Sequence, residues 1–254
     1  WRGGEANARR AVRGLTTPVM PTRSFGGAVV LLADGLTAAP GFIDIHTHAD
    51  RALLDIPRAE HRVRQGITLE VGGQCGSSPG PSGEDSARRT RESFRERLGV
   101  EVDLTELGGF FEALERIPTS VNAASMVGHG TIRGLVVGSE DRPATTEELA
   151  RMKEMVSRAL AQGAVGFSSG LEYVPSAFAS REELTELAGA LRGTGYPYAS
   201  HMRNEDDGVL AAVEEALHVG KVAGVPVQIS HLKVSGRDNW DQAGSALALI
   251  DQAR

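Results

Sequence analysis

PGFIDIHTHAD, residues Pro40–Asp50, joins a short apolar run to two histidines that are one residue apart. In an extended strand successive side chains point to opposite faces, so His46 and His48 would share a face with their Cβ atoms roughly 6.6 Å apart. Two imidazoles placed in this way can bind one metal ion, but such a pair also occurs at surfaces and in hydrogen-bonded polar layers. The segments that follow decide between these interpretations.

The composition is that of an ordinary globular protein and argues against several classes of function. The chain has 254 residues, of which 41% are hydrophobic and 24% are charged. Its 27 Lys and Arg against 33 Asp and Glu give a formal charge of -6, which argues against a partner bound through nucleic-acid phosphates. No apolar run approaches the roughly 18 residues of a membrane span, and the first residues lack the hydrophobic centre of a signal peptide. We therefore predict a cytoplasmic protein, with the reservation that the sequence begins with Trp1 instead of Met.

Strand-like and helix-like segments alternate from Pro40 onward. The predicted strands are residues 41–46, 67–73, 120–130, 163–170, 196–201 and 225–231, and the predicted helices lie within residues 145–163, 180–193, 205–224 and 240–254. Thr145 is the expected cap of the first of these helices, and Ser180 with Glu183 predicts a capping box at the second. Strands that alternate with helices in this way are typical of βαβ units and a parallel sheet.

Six such units fit either an open doubly wound sheet or part of an eight-unit barrel. No G-x-G-x-x-G motif follows the first strand, so the dinucleotide-binding form of the open sheet lacks its signature. Five potential metal ligands, in contrast, lie at the ends of predicted strands: His46, His48, the sole cysteine Cys75, His201 and His231. Because a (β/α)8 barrel collects its chemistry at the carboxyl ends of its strands, this pattern favours a TIM-type barrel with a metal centre.

The remaining three histidines serve as a control for this interpretation. His61 and His218 fall in helical stretches, where we expect them to face solvent. His129 lies at the end of the third predicted strand, so we expect it near the metal ligands without binding the metal itself.

Five segments, in this order, closely resemble the N-acyl-D-amino-acid deacylase (D-aminoacylase) branch of the amidohydrolase superfamily. They read PGFIDIHTHAD, QGITLEVGGQCGSSP, GAVGFSSGLEYVP, YASHMRNEDD and VPVQISHLKVSG, and together they extend over about Ala39–Gly236. The resemblance implies a TIM-type metal-dependent hydrolase barrel flanked by a small β-sandwich built from both termini. Residues 1–39 would then contribute a partial β-sandwich, and residues 40–254 a partial barrel that carries the metal site.

The same resemblance implies the ligands and the reaction. His46, His48, Cys75, His201 and His231 would hold Zn²⁺, with one tight site at the cysteine and the two later histidines and a possible weaker site at the first pair. Metal-activated water would hydrolyse the amide bond of N-acyl-D-amino acids to a carboxylate and a free D-amino acid. Tyr173 and Lys233 would bind the carboxylate of this small-molecule substrate, while an aromatic loop anchor and a solvated lysine are the alternatives.

The sequence departs from the family pattern at its end. Members of the family are longer and carry a catalytic aspartate, the general acid/base, after the eighth strand, whereas this sequence ends at Arg254 after the sixth unit. We therefore expect a fragment without its own catalytic acid/base, with two unpaired strand edges and little turnover when isolated. If the fragment proves active alone, Asp50, Glu172 and His129 are the first candidates for proton transfer.

Two other functions remain open on sequence grounds. One is a different amidohydrolase that acts on cyclic amides or peptides, of the dihydroorotase or hydantoinase type, although Cys75 in place of a strand-end lysine argues against it. The other is a non-catalytic zinc-binding fragment. The sequence carries no signal for the oligomeric state or for the preferred amino-acid side chain.

Overall fold

The computed structural model describes residues 39–254, the strands Thr22–Phe25 (β1) and Ala28–Leu31 (β2), and the single positions Gly35 and Thr37. The two early strands pair antiparallel as a hairpin, with Thr22 opposite Leu31 and Phe25 opposite Ala28. Most of the β-sandwich segment predicted for residues 1–39 lies outside the described residues.

Parallel strands form the centre of the described structure. In chain order they are β3 (Phe42–Asp44), β4 (Ile67–Gly72), β5 (Asn122–Ser125), β6 (Val127–Gly128), β7 (Phe167–Gly170), β8 (Tyr198–His201) and β9 (Val227–Ile229). They make two parallel sheets, β3-β4-β5 and β6-β7-β8-β9, in which each strand pairs with its neighbour in sequence. The α/β class and the parallel pairing expected from the sequence are confirmed.

The two sheets meet at Met126, the residue between β5 and β6. The amide of Met126 donates to the carbonyl of Gly72 at 3.0 Å, and the amide of the next residue, Val127, donates to Gly166 at 3.0 Å. Residues 122–128 thus continue the hydrogen bonding from one sheet to the other, as one strand with an interruption. The part of the chain from residue 39 onward therefore contains six parallel strand segments in sequential order, each at or close to its predicted position.

Helices follow or connect the strands. They are α1 (Asp50–Asp55), α2 (Glu60–Val63), α3 (Glu84–Leu98), α4 (Gly108–Arg116), α5 (His129–Val136), α6 (Thr146–Ala161), α7 (Arg181–Ala188), α8 (Val209–Ala223) and α9 (Ala243–Ala253). Thr145 caps α6 through a complete capping box with Glu148, as the sequence indicates. Gly224, with φ of +71°, ends α8 in the left-handed conformation that glycine adopts without strain.

The capping box expected at α7 forms only in part. Ser180 Oγ accepts a hydrogen bond from the amide of Glu183 at 3.2 Å, but the carboxylate of Glu183 bonds to His129 and Arg133 instead of returning to the cap. A buried guanidinium is a stronger partner for a carboxylate than a backbone amide at a helix end, because both groups are charged. The prediction was wrong about this half of the motif.

Apolar side chains of the strands and helices pack into the principal core. Its large members are Val127, Phe167 and Tyr198 from adjacent strands and Ile132, Met152, Leu184 and Leu187 from α5, α6 and α7. The rings of Phe167 and Tyr198 stack with their centroids 5.9 Å apart. This core lies against β6, β7 and β8, so it fixes the positions at which these strands end.

The edge strand β3 exposes large apolar side chains. Phe42 is 69% exposed, and Ile43 and Ile45 are each 58% exposed. Strands in parallel sheets normally have both faces covered by other parts of the protein. These exposed apolar side chains therefore form a surface that favours contact with further protein. Within the described residues, no helix combines the length and apolarity that crossing a membrane requires.

Candidate metal centre

The predicted ligands follow the carboxyl ends of four parallel strands, and the structure brings all five together. His46 and His48 come after β3, Cys75 comes after β4, His201 is the last residue of β8, and His231 comes two residues after β9. Cys75 Sγ lies 3.4 Å from Nε2 of His46 and 3.4 Å from Nε2 of His231. The ring centroids of His201 and His231 are 4.5 Å apart, and those of His46 and His48 are 5.4 Å apart.

These side chains form two overlapping groups of donors that share Cys75. In each group, His46–His48–Cys75 and Cys75–His201–His231, one donor atom per residue lies within 4.8 Å of the others. Ligands of one tetrahedral zinc ion are roughly 3.3–3.6 Å apart, given zinc distances near 2.0 Å to nitrogen and 2.3 Å to sulfur. The donor types and the 3.4 Å separations around Cys75 therefore fit a zinc ion.

The loop that carries Cys75 is shaped by glycine. Gly73 and Gly76 have φ of +70° and +76°, and Cys75 itself has φ of +51°. A Cβ on Gly73 would collide with the backbone of Met126, and a Cβ on Gly170 would collide with the carbonyl of Cys75, so the loop packs closely against the neighbouring strand ends. A residue other than glycine adopts this backbone conformation at a cost of about 1–3 kcal/mol, so the surrounding contacts must enforce it.

Burial keeps part of the donor set uncharged before a cation binds. Burial, with the nearby Glu205 carboxylate, raises the pKa of the Cys75 thiol to about 11. Burial also lowers the pKa of His46, and the neighbouring His231 and His48 lower it further. His46 is therefore a neutral imidazole at pH 7, ready to donate its lone pair, whereas Cys75 must lose a proton to become a ligand.

Two carboxylates contact two of the histidines predicted to be metal ligands. Glu172 Oε2 lies 2.9 Å from His201 Nε2, and Glu205 Oε1 lies 2.9 Å from His231 Nδ1. Lys233 forms an ion pair with the second oxygen of Glu205. The sequence interpretation missed Glu205, although its place just after β8 in the same loop as a predicted ligand was a usable signal.

A cavity of about 560 Å³ opens beside the donors. Among the residues that line it are His48, Cys75, His201, His231, Tyr173 and Lys233. The ring centroids of Tyr173 and His201 are 4.7 Å apart, and Tyr173 is 52% exposed. The two residues predicted to bind substrate thus line the same cavity as four of the five predicted metal ligands.

His129 makes its hydrogen bonds to residues that are not predicted metal ligands. It is fully buried, with Nδ1 2.8 Å from Ser176 Oγ and Nε2 2.9 Å from Glu183 Oε1, and Arg133 donates to the same Glu183 oxygen at 3.0 Å. Burial lowers the pKa of His129 against the opposing effect of Glu183. A neutral His129 therefore donates through Nε2 to the carboxylate and accepts from Ser176 through Nδ1. His61 and His218 are exposed on helices, as expected.

Glu183 is the charged centre of this buried network. Burial raises its pKa, but the hydrogen bond from His129 and the charge and hydrogen bond of Arg133 outweigh burial and hold the pKa below its usual range. We expect Glu183→Gln to lower the free energy of unfolding by about 3–5 kcal/mol, because it leaves the buried Arg133 without its countercharge. Urea denaturation followed by circular dichroism measures this.

Glu186→Gln provides the matched control on the same helix. Glu186 is exposed and pairs with Lys153 at 2.9 Å on the surface. Its substitution should cost less than about 1 kcal/mol. Equal losses in the two variants would contradict the buried-network interpretation.

The fold and the arrangement of the donors together define a class of protein. Parallel βαβ units that place a thiol and several imidazoles around one cavity at the carboxyl ends of the strands are typical of metal-dependent α/β proteins whose site is built from successive strand ends. Comparison with known proteins is more specific. Residues 32–248 match the Amidohydrolase family, and the chain belongs to that family, which confirms the resemblance found in the sequence.

Individual relatives are similar over most of this chain. D-aminoacylase of Alcaligenes xylosoxydans xylosoxydans is 40% identical over 219 residues, which are 86% of this chain and 45% of that protein. A solved D-aminoacylase structure, described for a binuclear metal centre with one-metal activation and second-metal attenuation, is 39% identical with a TM-score of 0.74, over 84% of this chain and 45% of that one.

A second solved structure was determined with a bound metal. N-acyl-D-glutamate deacylase from Bordetella bronchiseptica, complexed with zinc and a phosphonate mimic of the tetrahedral intermediate, is 36% identical with a TM-score of 0.75, over 85% of this chain and 45% of that one. The chain thus spans a little under half the length of the relatives it matches.

Proposed function

We propose that this chain carries the metal centre and substrate cavity of a zinc-dependent amidohydrolase that hydrolyses N-acyl-D-amino acids to a carboxylate and a free D-amino acid. The observation that carries the proposal is the convergence of Cys75, His201 and His231 from three strand ends on one cavity. The substrate class is taken from the relatives, which are a D-aminoacylase and an N-acyl-D-glutamate deacylase.

The fold that we propose for this chain is part of a TIM-type barrel. The ordered array from β3 to β9 is the kind of segment from which a TIM-type (β/α)8 barrel is built, with the site at the carboxyl ends of the strands. In this proposal residues 40–254 form the barrel and residues 1–39 belong to a flanking β-sandwich. The apolar edge at β3 is a surface that closure of such a barrel would cover.

One zinc ion is held tightly by Cys75, His201 and His231 in this proposal, and a second, weaker position lies at His46, His48 and Cys75. A single thiolate is common to both groups, and its one negative charge offsets only half of the charge of one Zn²⁺ ion. A second cation at the same sulfur would repel the first. A D-aminoacylase with one-metal activation and second-metal attenuation is consistent with this order of affinities.

The remaining side chains orient the substrate. When bound, zinc supplies a water nucleophile at neutral pH and polarises the amide carbonyl. Lys233 brings a positive charge to the cavity and Tyr173 brings a phenolic hydroxyl, which together suit the free carboxylate of an N-acyl amino acid. Holding this carboxylate at a fixed distance from the zinc ligands presents the amide bond to the metal centre.

Proton transfer is the part of the reaction for which the described residues offer the least suitable group. Asp50 accepts a hydrogen bond from the Gly73 amide at 2.8 Å and so supports the Cys75 loop. Glu172 and Glu205 are hydrogen-bonded to ligand imidazoles. Because these three carboxylates already make such hydrogen bonds, we propose that the general acid/base is the aspartate that the family pattern places after an eighth strand.

Ligand binding tests the proposal without requiring turnover. Calorimetry on the zinc-loaded chain should show N-acetyl-D-methionine binding at least tenfold more tightly than its L enantiomer. Lys233→Met should weaken D-ligand binding by about tenfold or more, because a hydrogen bond to a charged group contributes about 1.5–3 kcal/mol.

Lys221→Met, an exposed lysine on α8, is the control and should leave ligand binding unchanged. Binding that needs no zinc, or that does not distinguish the enantiomers, would contradict the proposed function and favour a non-catalytic zinc-binding role.

A further inference from the structure

We propose that Glu205 is a positioning residue of the metal centre, which fixes the ring orientation and tautomer of His231 while Lys233 holds its second oxygen. The inference deepens the proposed function, on which it depends for the identity of the metal. The effect of Glu205 is transmitted through His231.

The contact between Glu205 and His231 determines which ring nitrogen is free. Glu205 Oε1 lies 2.9 Å from Nδ1 of His231, and an ionised carboxylate can only accept, so Nδ1 carries the hydrogen. Nε2 is then unprotonated, and Nε2 is the atom that lies 3.4 Å from Cys75 Sγ. A carboxylate behind a ligand histidine orients the ring and increases its basicity toward the metal.

The surroundings of Glu205 indicate that this carboxylate is held in place. Glu205 is only 5% exposed, although it is ionisable and lies beside the cavity. Its Oε2 pairs with the ammonium of Lys233, two residues beyond His231, so that both oxygens have partners. A buried carboxylate needs such compensation, because its desolvation is otherwise very costly.

The backbone joins the same two loops. The carbonyl of Glu205 accepts from the amide of Ser235 at 2.6 Å, which ties the segment after β8 to the segment after β9. His231 itself has φ of +34°, a conformation that a non-glycine residue keeps only when its surroundings enforce it. Glu205 therefore contacts the His231 segment at its imidazole, at Lys233 and at Ser235.

Two measurements on Glu205→Gln test the inference. Glutamine keeps the size of the side chain but loses the charge and can present an N–H to the imidazole. We expect the zinc dissociation constant, measured by competition with a chelating dye, to rise about tenfold or more, within the 10–100-fold range for lost partners of ligand histidines. In the metal-free protein, ¹⁵N spectra of labelled histidine should show His231 as the Nδ1–H tautomer in the wild type and as a mixture in the variant.

Glu215→Gln is the matched control. Glu215 is also a largely buried carboxylate paired with a cation, Arg203 at 3.0 Å, but it contacts no predicted zinc ligand. The zinc dissociation constant of Glu215→Gln should stay within threefold of that of the wild type. This result would separate a positioning effect from a general loss of stability. Equal zinc affinities in the two variants, or an unchanged His231 tautomer in Glu205→Gln, would overturn the inference.

The two readouts also separate this inference from the proposed function. A wild-type chain that binds zinc, together with a Glu205→Gln variant that binds it equally well, refutes the role of Glu205 and leaves the proposed function intact. A wild-type chain that binds no zinc refutes the proposed function. The tautomer comparison in the metal-free protein still reports on whether Glu205 determines the protonated nitrogen of His231.

Discussion

Replacing Cys75 with alanine should remove the tightly bound zinc and weaken zinc binding by about 100-fold or more. The total free energy of zinc binding in comparable protein sites, about 10–16 kcal/mol, is shared among a few ligands, so the loss of one thiolate is worth several kcal/mol. Cys75 is also the donor common to both groups, and no other cysteine exists in the sequence to replace it. The imidazoles that remain offer no negative charge to the cation.

Metal content by plasma emission spectrometry and competition with a chelating dye measure this effect. His218→Ala is the control, since it removes an imidazole that is exposed on α8, away from the donor groups. It should bind as much zinc as the wild type. Equal zinc in Cys75→Ala and wild type would show that the thiol is not a ligand.

The same residue predicts how zinc affinity changes with pH. The pKa of the metal-free Cys75 thiol is raised to about 11, so its proton must leave when zinc binds at pH 7–8. Zinc affinity should therefore increase as pH rises, by about tenfold per pH unit from this group alone. Zinc binding to Cys75→Ala should release one proton fewer than zinc binding to the wild type, so the zinc affinity of the variant should change less steeply with pH. Calorimetry in buffers of different ionisation enthalpy counts the released protons.

The backbone pattern was accessible from the sequence because it depends on local periodicity. Alternating strand and helix segments placed the six parallel segments close to their observed positions, and the polar residue after each apolar run predicted where donors would converge. The sequence of the Cys75 loop, G-G-Q-C-G, also contains the glycines that the positive φ angles at Gly73 and Gly76 require. Chain order and strand direction thus predicted which residues would approach one another.

Side-chain networks were not accessible in this way. Glu183 matched a capping box and His129 matched a residue near the metal, yet the two bond to each other in the interior. Glu205 lay in a segment already singled out, but only the structure shows that its carboxylate meets His231. Each of these choices depends on which charged partner is buried nearby in three dimensions, and a one-dimensional pattern does not contain that information.

The largest effect on activity should come from a chimaera with a relative. Residues 40–248 of this chain would replace the aligned segment of the Alcaligenes D-aminoacylase, to which this chain is 40% identical. If this chain supplies the metal centre and cavity, the chimaera should hydrolyse N-acyl-D-amino acids, with the relative supplying the general acid/base. Cys75→Ala within the chimaera should lower kcat/KM by at least about 10³-fold, because the metal contributes several kcal/mol to stabilising the transition state.

The 254 residues tested alone should turn over the same substrates at least about 100-fold more slowly than the chimaera, since general acid/base groups contribute about 10²–10⁴-fold. Zinc loading of both proteins should be equal, so that any difference in rate reports on proton transfer and cavity closure instead of on metal content. His218→Ala in the chimaera serves as the control that leaves kcat/KM unchanged. Equal rates for the chimaera and the unfused chain would place the proton-transfer group within these residues. Glu172 and Asp50 are then the carboxylates to replace next, because Glu172 contacts the predicted zinc ligand His201 and Asp50 bonds to the Cys75 loop at Gly73.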